Sequence, residues 1–146
     1  MSITATTHLN FTGQAREALE FYAGVFGGTA VIRTYADFGM PAELPGADRV
    51  VFGQIVAPGG FAIMAYDIPG GQQGPAPVVR RENGTTVTDQ PFFVALSGPS
   101  LDELSGPWAG LADGATIVEP LAASAFSAGF GMLTDRFGVT WAVTVS

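Results

Sequence analysis

The feature that most constrains the fold of this chain is an order of predicted elements that occurs twice. Apolar spacing and turn residues in the first half predict a strand, a helix and three more strands, at residues 4–11, 14–26, 29–35, 49–56 and 61–66. The second half predicts the same order, with strands at 92–96, 115–118, 130–134 and 139–145 and a helix after the first of them. Independent errors would rarely reproduce one order in both halves, so two βαβββ modules are predicted.

Each predicted helix has its own sequence signals. Apolar residues recur at helical spacing within residues 14–26, and the glycine pair at 27–28 ends that pattern. The second helix has an apolar stripe made of Leu101, Leu104, Trp108 and Leu111. Ser100 is its predicted N-cap, with Glu103 three residues later as in a capping box.

A sheet in such a module requires a helix on one face, which leaves the other face free to curve around a ligand. The fold class is therefore predicted to be α+β, with two βαβββ modules whose curved mixed sheets enclose a cavity. The modules could pair within one chain or across a dimer, and the sequence leaves both arrangements open. We expect a homodimer.

The segment between the modules is rich in proline and glycine. Residues 67–90 show little apolar periodicity, so they are predicted to be a linker or flap with a short strand at 85–87. The domain prediction is thus a single domain over 1–146, made of module 1 at about 4–66, this segment, and module 2 at 91–146. The length of the segment also suggests a lid over the cavity.

Composition excludes several classes of protein. The 146 residues are 47% hydrophobic and 13% charged, which suits one globular domain. Six arginines against 13 acidic residues give a net charge of −7, which disfavours nucleic acid and anionic membrane surfaces as partners. The chain has no cysteine, no signal-peptide pattern at residues 1–10 and no apolar run long enough to span a membrane, so we expect a cytoplasmic protein.

Two regions carry a family resemblance. Residues 130–143 read as two short strands around the turn Asp135-Arg136-Phe137-Gly138, and residues 9–28 contain the runs Leu9-Asn10-Phe11 and Val25-Phe26-Gly27-Gly28. Together they resemble the PhnB-like branch of the vicinal oxygen chelate superfamily, which is the glyoxalase, bleomycin-resistance and dioxygenase fold. The resemblance spans nearly the whole chain and implies the same two-module architecture.

The resemblance also implies positions for metal ligands. Metal-bearing relatives place four ligands, mostly His and Glu, on the concave faces of the first and fourth strands of each module. The matching positions here hold Thr6 or His8, Met64, Phe92 or Phe93, and Ala142 or Trp141. Methionine, phenylalanine and alanine do not replace His or Glu as ligands of a divalent ion, so no metal site and no cofactor are expected.

His8 is the sole histidine of the chain, and strand alternation puts it on one face with Thr6 and Asn10. If Leu9 and Phe11 face the helix, this polar face points to the cavity. Two interpretations of His8 stay open: a surface or merely hydrogen-bonded histidine, which is favoured, and a hydrogen-bonding or general-base residue of the site.

Three charged residues near turns are interpreted as structural. Asp67 precedes Pro69-Gly70, which favours turn chemistry over a role at the cavity rim. Asp135 suits the first position of the hairpin turn, and Arg136 has a secondary interpretation as a contact for an anionic ligand or a partner chain. The sequence supports neither a Ser-His-Asp triad nor a phosphate-binding glycine loop.

The functional prediction is a metal-independent protein that binds a small organic molecule in a largely apolar pocket. The predicted ligand-binding residues are His8, Asn10, Met64, Tyr66, Phe93 and Trp141. The alternative is a divergent metal-dependent lyase, isomerase or dioxygenase, in which His8 would share a metal with Glu119 or Asp67. Catalytic residues are not assigned.

Overall fold

The computed structural model describes residues 2–146. The chain forms two compact units, of which the first ends at Gly74 and the second is Pro75–Ser146. Residues 2–146 contain two α-helices and ten strands, and each unit has one helix packed on one four-stranded sheet. The predicted α+β class and the repeated βαβββ order are therefore confirmed. The unit boundary falls inside the predicted linker, and the single-domain organisation stays a prediction.

The first unit follows the predicted order closely. Its elements are β1 (Thr7–Phe11), α1 (Ala15–Phe26), β2 (Thr29–Thr34), a short 3₁₀ helix (Ala36–Phe38), β3 (Val50–Val56) and β4 (Ala62–Asp67). The strand order in the sheet is β1-β4-β3-β2, with β1 parallel to β4 and the other pairs antiparallel. The parallel pair requires the crossover that α1 supplies.

One face of this sheet is covered by α1. The helix buries residues at i, i+3, i+4 and i+7, which are Ala15, Ala18, Leu19 and Tyr22. The sheet buries Leu9, Phe11, Ile55, Ile63 and Ala65. Gly53 of β3 permits the close approach, because a Cβ atom there would collide with the Leu19 side chain and lie 2.8 Å from the Ala65 carbonyl oxygen.

The second unit repeats this arrangement after an added hairpin. Its elements are β5 (Val79–Glu82), β6 (Thr85–Thr88), β7 (Val94–Gly98), α2 (Leu101–Ala112), β8 (Thr116–Ser124), β9 (Ser127–Thr134) and β10 (Thr140–Val145). The four-stranded sheet has the order β7-β10-β9-β8, with β7 parallel to β10. Leu104 and Leu111 of α2 are buried, as are Leu133, Trp141 and Val143 of the sheet.

The structure corrects the prediction for residues 67–90. This segment is not only a linker, because β5 and β6 pair as an antiparallel hairpin. The strand predicted at 85–87 is confirmed as part of β6, whereas β5 was missed. Asn83 and Gly84 form the turn with φ angles of 51° and 76°, which is the left-handed conformation that Asn-Gly turns adopt in two-residue hairpins. The Asn83-Gly84 dipeptide was the sequence signal from which the hairpin, and with it β5, could have been predicted.

Other differences concern strand ends. β1 begins at Thr7 and not at residue 4, β7 begins at Val94 and not at Phe92, and β8 continues to Ser124. The longer β8 pairs with β9 through several register shifts, so its pattern of exposure does not alternate regularly. No helix within residues 2–146 is long and apolar enough to cross a membrane.

Candidate ligand-binding site

The first strand presents a polar face on the side of the sheet opposite α1. Leu9 and Phe11 are buried toward the helix. His8, which precedes Leu9, and Asn10, which lies between Leu9 and Phe11, are exposed. The condition set by the sequence, that Leu9 and Phe11 face the helix, is therefore met. His8 and Asn10 share the other face because strand side chains alternate.

The neighbouring strand adds two of the predicted residues to this face. In the parallel pairing of β1 with β4, His8 is opposite Met64 and Asn10 is opposite Tyr66. Met64 and Tyr66 are half-buried and alternate with the fully buried Ile63, Ala65 and Asp67. We call the surface formed by His8, Asn10, Met64 and Tyr66 the open face.

Direct contacts link three of these side chains. His8 Nδ1 lies 3.0 Å from Asn10 Oδ1, a hydrogen bond in which the ring nitrogen donates when it carries the proton. The His8 and Tyr66 rings meet edge to face, with centroids 5.3 Å apart and planes inclined at 70°. Aromatic pairs prefer this geometry, so the imidazole is positioned from two sides.

The open face continues across the sheet into β3 and β2. Gln54 is opposite Met64, and Val31 is opposite Gln54. Arg33 of β2 is opposite Phe52 of β3. The Arg33 Nη1 donates to the carbonyl oxygen of Ile32 at 3.1 Å. Val31 is 44% exposed. The face therefore combines apolar and hydrogen-bonding groups, which is the mixture typical of small-molecule sites.

The other two predicted ligand residues belong to the second unit. Phe93 precedes β7 and is 37% exposed. Trp141 is fully buried on the α2 side of its sheet, and its Nε1 donates to Asp135 Oδ2 at 2.9 Å. The structure thus brings together four of the six residues within one unit. A ligand role for Phe93 and Trp141 stays a prediction.

The turn interpretation of Asp67 is wrong. Asp67 is the last residue of β4 and is 1% exposed. Its Oδ1 accepts the backbone N–H groups of Gly13 at 2.7 Å and Ala15 at 3.1 Å, and its Oδ2 accepts that of Val50 at 2.9 Å. A buried carboxylate requires such partners. Asp67 therefore joins the start of α1 to the start of β3, a role that no local sequence pattern indicates.

The turn interpretation of Asp135 agrees with the structure. Its Oδ1 accepts the backbone N–H groups of Phe137 at 2.9 Å and Val139 at 3.0 Å within the β9–β10 hairpin. Arg136 binds Asp113, with Nη2 at 3.0 Å from both the carbonyl oxygen and Oδ2. This guanidinium therefore holds the loop before β8, and its predicted contact with an anion or a partner chain stays a prediction.

The residues at the implied metal positions do not fit a divalent metal ion. Within residues 2–146 no group of three His, Asp or Glu side chains lies close enough together to hold one. His8 is bonded to Asn10, and both oxygens of Asp67 are taken by backbone N–H groups. Glu119 Oε1 pairs with Arg81 Nε at 3.4 Å. The donor set lacks the carboxylate and imidazole cluster that such an ion requires.

Comparison with known families identifies the class of this protein. The chain matches the model of the glyoxalase/bleomycin resistance protein/dioxygenase superfamily over residues 6–143. Because the match covers nearly the whole chain, the protein belongs to that superfamily. The predicted family is confirmed.

Solved structures give more specific likenesses. Protein PA1353 from Pseudomonas aeruginosa is 29% identical, with a TM-score of 0.77 over 99% of this chain and 98% of its own. A protein from Bacillus cereus, described as a PhnB protein and putative 3-demethylubiquinone-9 3-methyltransferase, is 26% identical, with a TM-score of 0.70 over 99% of this chain and 100% of its own. No curated protein matches the chain.

A third structure shares the fold alone. It is a glyoxylase/bleomycin resistance protein/dioxygenase domain from Frankia, which is 16% identical with a TM-score of 0.65 over 100% of this chain and 93% of its own. The coverage of all three structures is nearly complete in both directions. The PhnB-like neighbour agrees with the branch that the two sequence motifs indicated.

Proposed function

We propose that this protein is a metal-independent binding protein for a small organic molecule, with the open face of the first unit as its binding surface. The observation that carries the proposal is the arrangement of His8, Asn10 and Tyr66, in which a hydrogen bond and an edge-to-face contact fix an exposed imidazole. Fixed polar groups on a partly apolar surface lower the entropy cost of binding.

The chemistry of the open face suggests the kind of ligand. Met64 and the Tyr66 ring offer apolar area, while the Tyr66 hydroxyl, the Asn10 amide and His8 Nε2 offer hydrogen bonds. Within residues 2–146, His8 Nε2 and the Tyr66 hydroxyl have no hydrogen-bond partner. The ligand we propose therefore has a flat apolar part and at least one hydrogen-bonding group.

A thermal-shift screen of small aromatic compounds, run with and without EDTA, tests this proposal. Ligands should raise the melting temperature equally in both conditions, since binding stabilises the folded state by mass action. His8→Ala and Tyr66→Ala should each weaken binding about tenfold, which corresponds to the loss of one or two contacts. Glu20→Ala, on the exposed side of α1, is the matched control and should leave binding unchanged.

Metal analysis separates this proposal from the enzyme alternative. The protein is purified without an affinity tag or a nickel column, and its metal content is measured. Stoichiometric metal, or a metal-dependent rise in melting temperature that His8→Ala abolishes, would replace the proposal with a metal-dependent lyase, isomerase or dioxygenase. Ligand binding that EDTA abolishes would lead to the same conclusion.

The proposal includes a cytoplasmic homodimer. Several large apolar side chains are exposed, among them Phe126 at 100%, Phe38 at 70% and Val56 at 58%. Contiguous patches of exposed apolar residues, though not single ones, often mark surfaces that a partner covers. Light scattering after size-exclusion chromatography should give twice the chain mass of 15.1 kDa. A monomer at micromolar concentration would contradict this part of the proposal and leave ligand binding untouched.

A further inference from the structure

A concave site lies within the first unit, and its lining includes none of the four residues that define the open face. It is a cleft of about 330 Å³ between the loop that follows β2 and the loop that follows β4. Its lining residues are Tyr35, Met40, Pro45, Gly46, Arg49 and residues 69–72. The volume is at the lower end of the range for small-molecule pockets, which is about 300–1,000 Å³.

Arg49 supplies the cleft with a positive charge that no carboxylate neutralises directly. Its Nη1 donates to the Gly71 carbonyl oxygen at 3.4 Å, and it forms no ion pair with any residue in 2–146. The other half-buried arginine, Arg81, is paired with Glu119. Of the two half-buried arginines in residues 2–146, Arg49 is therefore the one without an acidic partner, in a chain with 13 acidic residues against six arginines.

The cleft contains no acidic side chain that would repel an anion. All its lining residues are neutral except Arg49. The nearby Asp67 is buried, and its oxygens accept three backbone N–H groups. Such bonds partly compensate the carboxylate charge.

Tyr35 contributes a neutral polar wall. Its hydroxyl donates to the Asp67 carbonyl oxygen at 2.6 Å. Burial raises the pKa of Tyr35, with smaller contributions from Tyr66 and Asp67, and Arg49 acts in the opposite direction. The phenol therefore keeps its proton at neutral pH, and its oxygen can still accept a hydrogen bond.

We propose that this cleft binds a small organic monoanion, with its carboxylate on the Arg49 guanidinium and its apolar body against Met40, Pro45 and Pro69. A guanidinium offers paired N–H donors that match the two oxygens of a carboxylate. The three apolar residues and the Tyr35 ring supply the wall that a purely inorganic anion would not use. The site goes beyond the proposed function, because none of His8, Asn10, Met64 and Tyr66 lines it.

Benzoate and its neutral analogue benzamide are the probes that test this proposal. Titration of ¹⁵N-labelled protein with benzoate should give saturable shifts of the amide signals of Gly46, Gly70 and Gly71. Benzamide should bind at least about tenfold more weakly, because a hydrogen bond to a charged group is worth more than a neutral one. Added salt should weaken benzoate binding and leave benzamide binding unchanged.

Two arginine variants locate the effect. Arg49→Gln should weaken benzoate binding by about tenfold or more, and Arg49→Lys should retain part of the affinity because it keeps the charge without the paired donors. Arg80→Gln is the matched control: Arg80 is exposed in the second unit, lines neither the cleft nor the open face, and its replacement should leave benzoate binding unchanged.

Three results would overturn the proposal. The first is an absence of saturable shifts with benzoate, and the second is equal binding of benzamide by the unaltered protein. The third is equal loss of benzoate binding in Arg80→Gln. The benzoate–benzamide comparison uses the unaltered protein. It therefore tests whether the cleft binds a carboxylate even if Arg49→Gln disturbs the loop by removing the hydrogen bond from Arg49 to Gly71. Failure here leaves the open face untested by these probes, since the reporting amides belong to the cleft.

Discussion

The two modules have the same element order, but they hold the starts of their helices by different means. In module 2 the N-cap is local, because Ser100 Oγ accepts the backbone N–H of Glu103 at 3.1 Å. In module 1, Gln14 makes no side-chain cap, and the Asp67 carboxylate at the far end of β4 accepts the N–H of Ala15. A duplicated topology therefore does not require duplicated stabilising contacts.

The modules also differ on the sheet face opposite the helix. In module 1 this is the open face. In module 2 the β5–β6 hairpin packs on it: the Arg81 guanidinium lies 4.5 Å from the centroid of Phe130, and Thr86 Oγ1 lies 3.6 Å from Met132 Sδ. Met132 is fully buried as a result. The surface available to a ligand on the equivalent face is therefore larger in module 1 than in module 2.

Replacement of Asp67 should have the largest effect of the changes considered. Asp67→Ala leaves the N–H groups of Gly13, Ala15 and Val50 without their acceptor, and an unsatisfied buried donor costs about 1–3 kcal/mol. We expect a loss of about 3 kcal/mol or more in the free energy of unfolding, measured in urea. A loss below about 1 kcal/mol would show that α1 does not depend on this long-range cap.

The glycine at the helix–sheet contact of module 1 should have the next largest effect. In Gly53→Ala the new methyl group would collide with Leu19 and approach the Ala65 carbonyl oxygen, so a loss of about 1–3 kcal/mol is expected. Gly24→Ala is the matched control, because a Cβ atom added at Gly24 would meet no atom within 4 Å beyond its chain neighbours and the backbone of its own helix, and alanine should stabilise α1 by about 0.5–1 kcal/mol. Equal effects of the two substitutions would contradict the packing argument.

Loss of the local cap in module 2 should cost less than loss of Asp67. Ser100→Ala removes one hydrogen bond from the first turn of α2, where water can replace it, so about 1 kcal/mol is expected. Ser100→Asp should retain most of the stability, because aspartate is also a good N-cap. If Ser100→Ala destabilised the protein as much as Asp67→Ala, the contrast between local and long-range capping would be wrong.

These two caps also show how far the sequence predicts the fold. Ser100 and Glu103 were predicted as a capping box because the interacting groups are three residues apart. The contact between Asp67 and Ala15 spans 52 residues, so it exists only once β4 lies beside β1. Repeated periodicity predicted both modules, but the β5 strand was missed because the proline and glycine around it suggested a loop.

The candidate site shows a similar limit. Strand alternation was sufficient to predict that His8 and Asn10 lie on one face of β1, whereas Met64 was implied by the family resemblance. Neither source predicted how β1 pairs with β4, which depends on the parallel register. The Arg49 cleft was not predicted, because it is made by two loops whose conformation follows from tertiary contacts such as the Tyr35–Asp67 hydrogen bond.

The packing of the β5–β6 hairpin on the sheet of module 2 can be tested with substitutions at two adjacent arginines. Arg81→Gln removes the contact with Phe130 and the pair with Glu119, so a loss of about 1 kcal/mol is expected. Arg80→Gln removes only the exposed pair with Glu82, which should cost less than about 0.5 kcal/mol. Hydrogen exchange at the amides of β5 and β6 should become faster in Arg81→Gln alone. Equal exchange in both variants would mean that Arg81 does not hold the hairpin on the sheet.

The smallest expected effect is an acid response at the base of the same hairpin. The pKa of Asp89 is lowered by hydrogen bonds from the Gln90 side chain and, next, the Val78 backbone N–H. Because the folded pKa lies below the unfolded value of about 3.9, this contribution is present above that pH and lost as the pH falls through the folded pKa.

Amide exchange in β5 and β6 should therefore become faster as the pH falls below about 4, after correction for the intrinsic rate, and Asp89→Asn should remove this dependence. The first unit provides the control, since the pKa of Asp37 is also lowered, by the backbone N–H of Thr34 first and its hydroxyl second. Asp37→Asn should leave the hairpin response unchanged. If it removed that response as fully as Asp89→Asn does, acid would be acting on the whole fold and not on the contact that closes the hairpin.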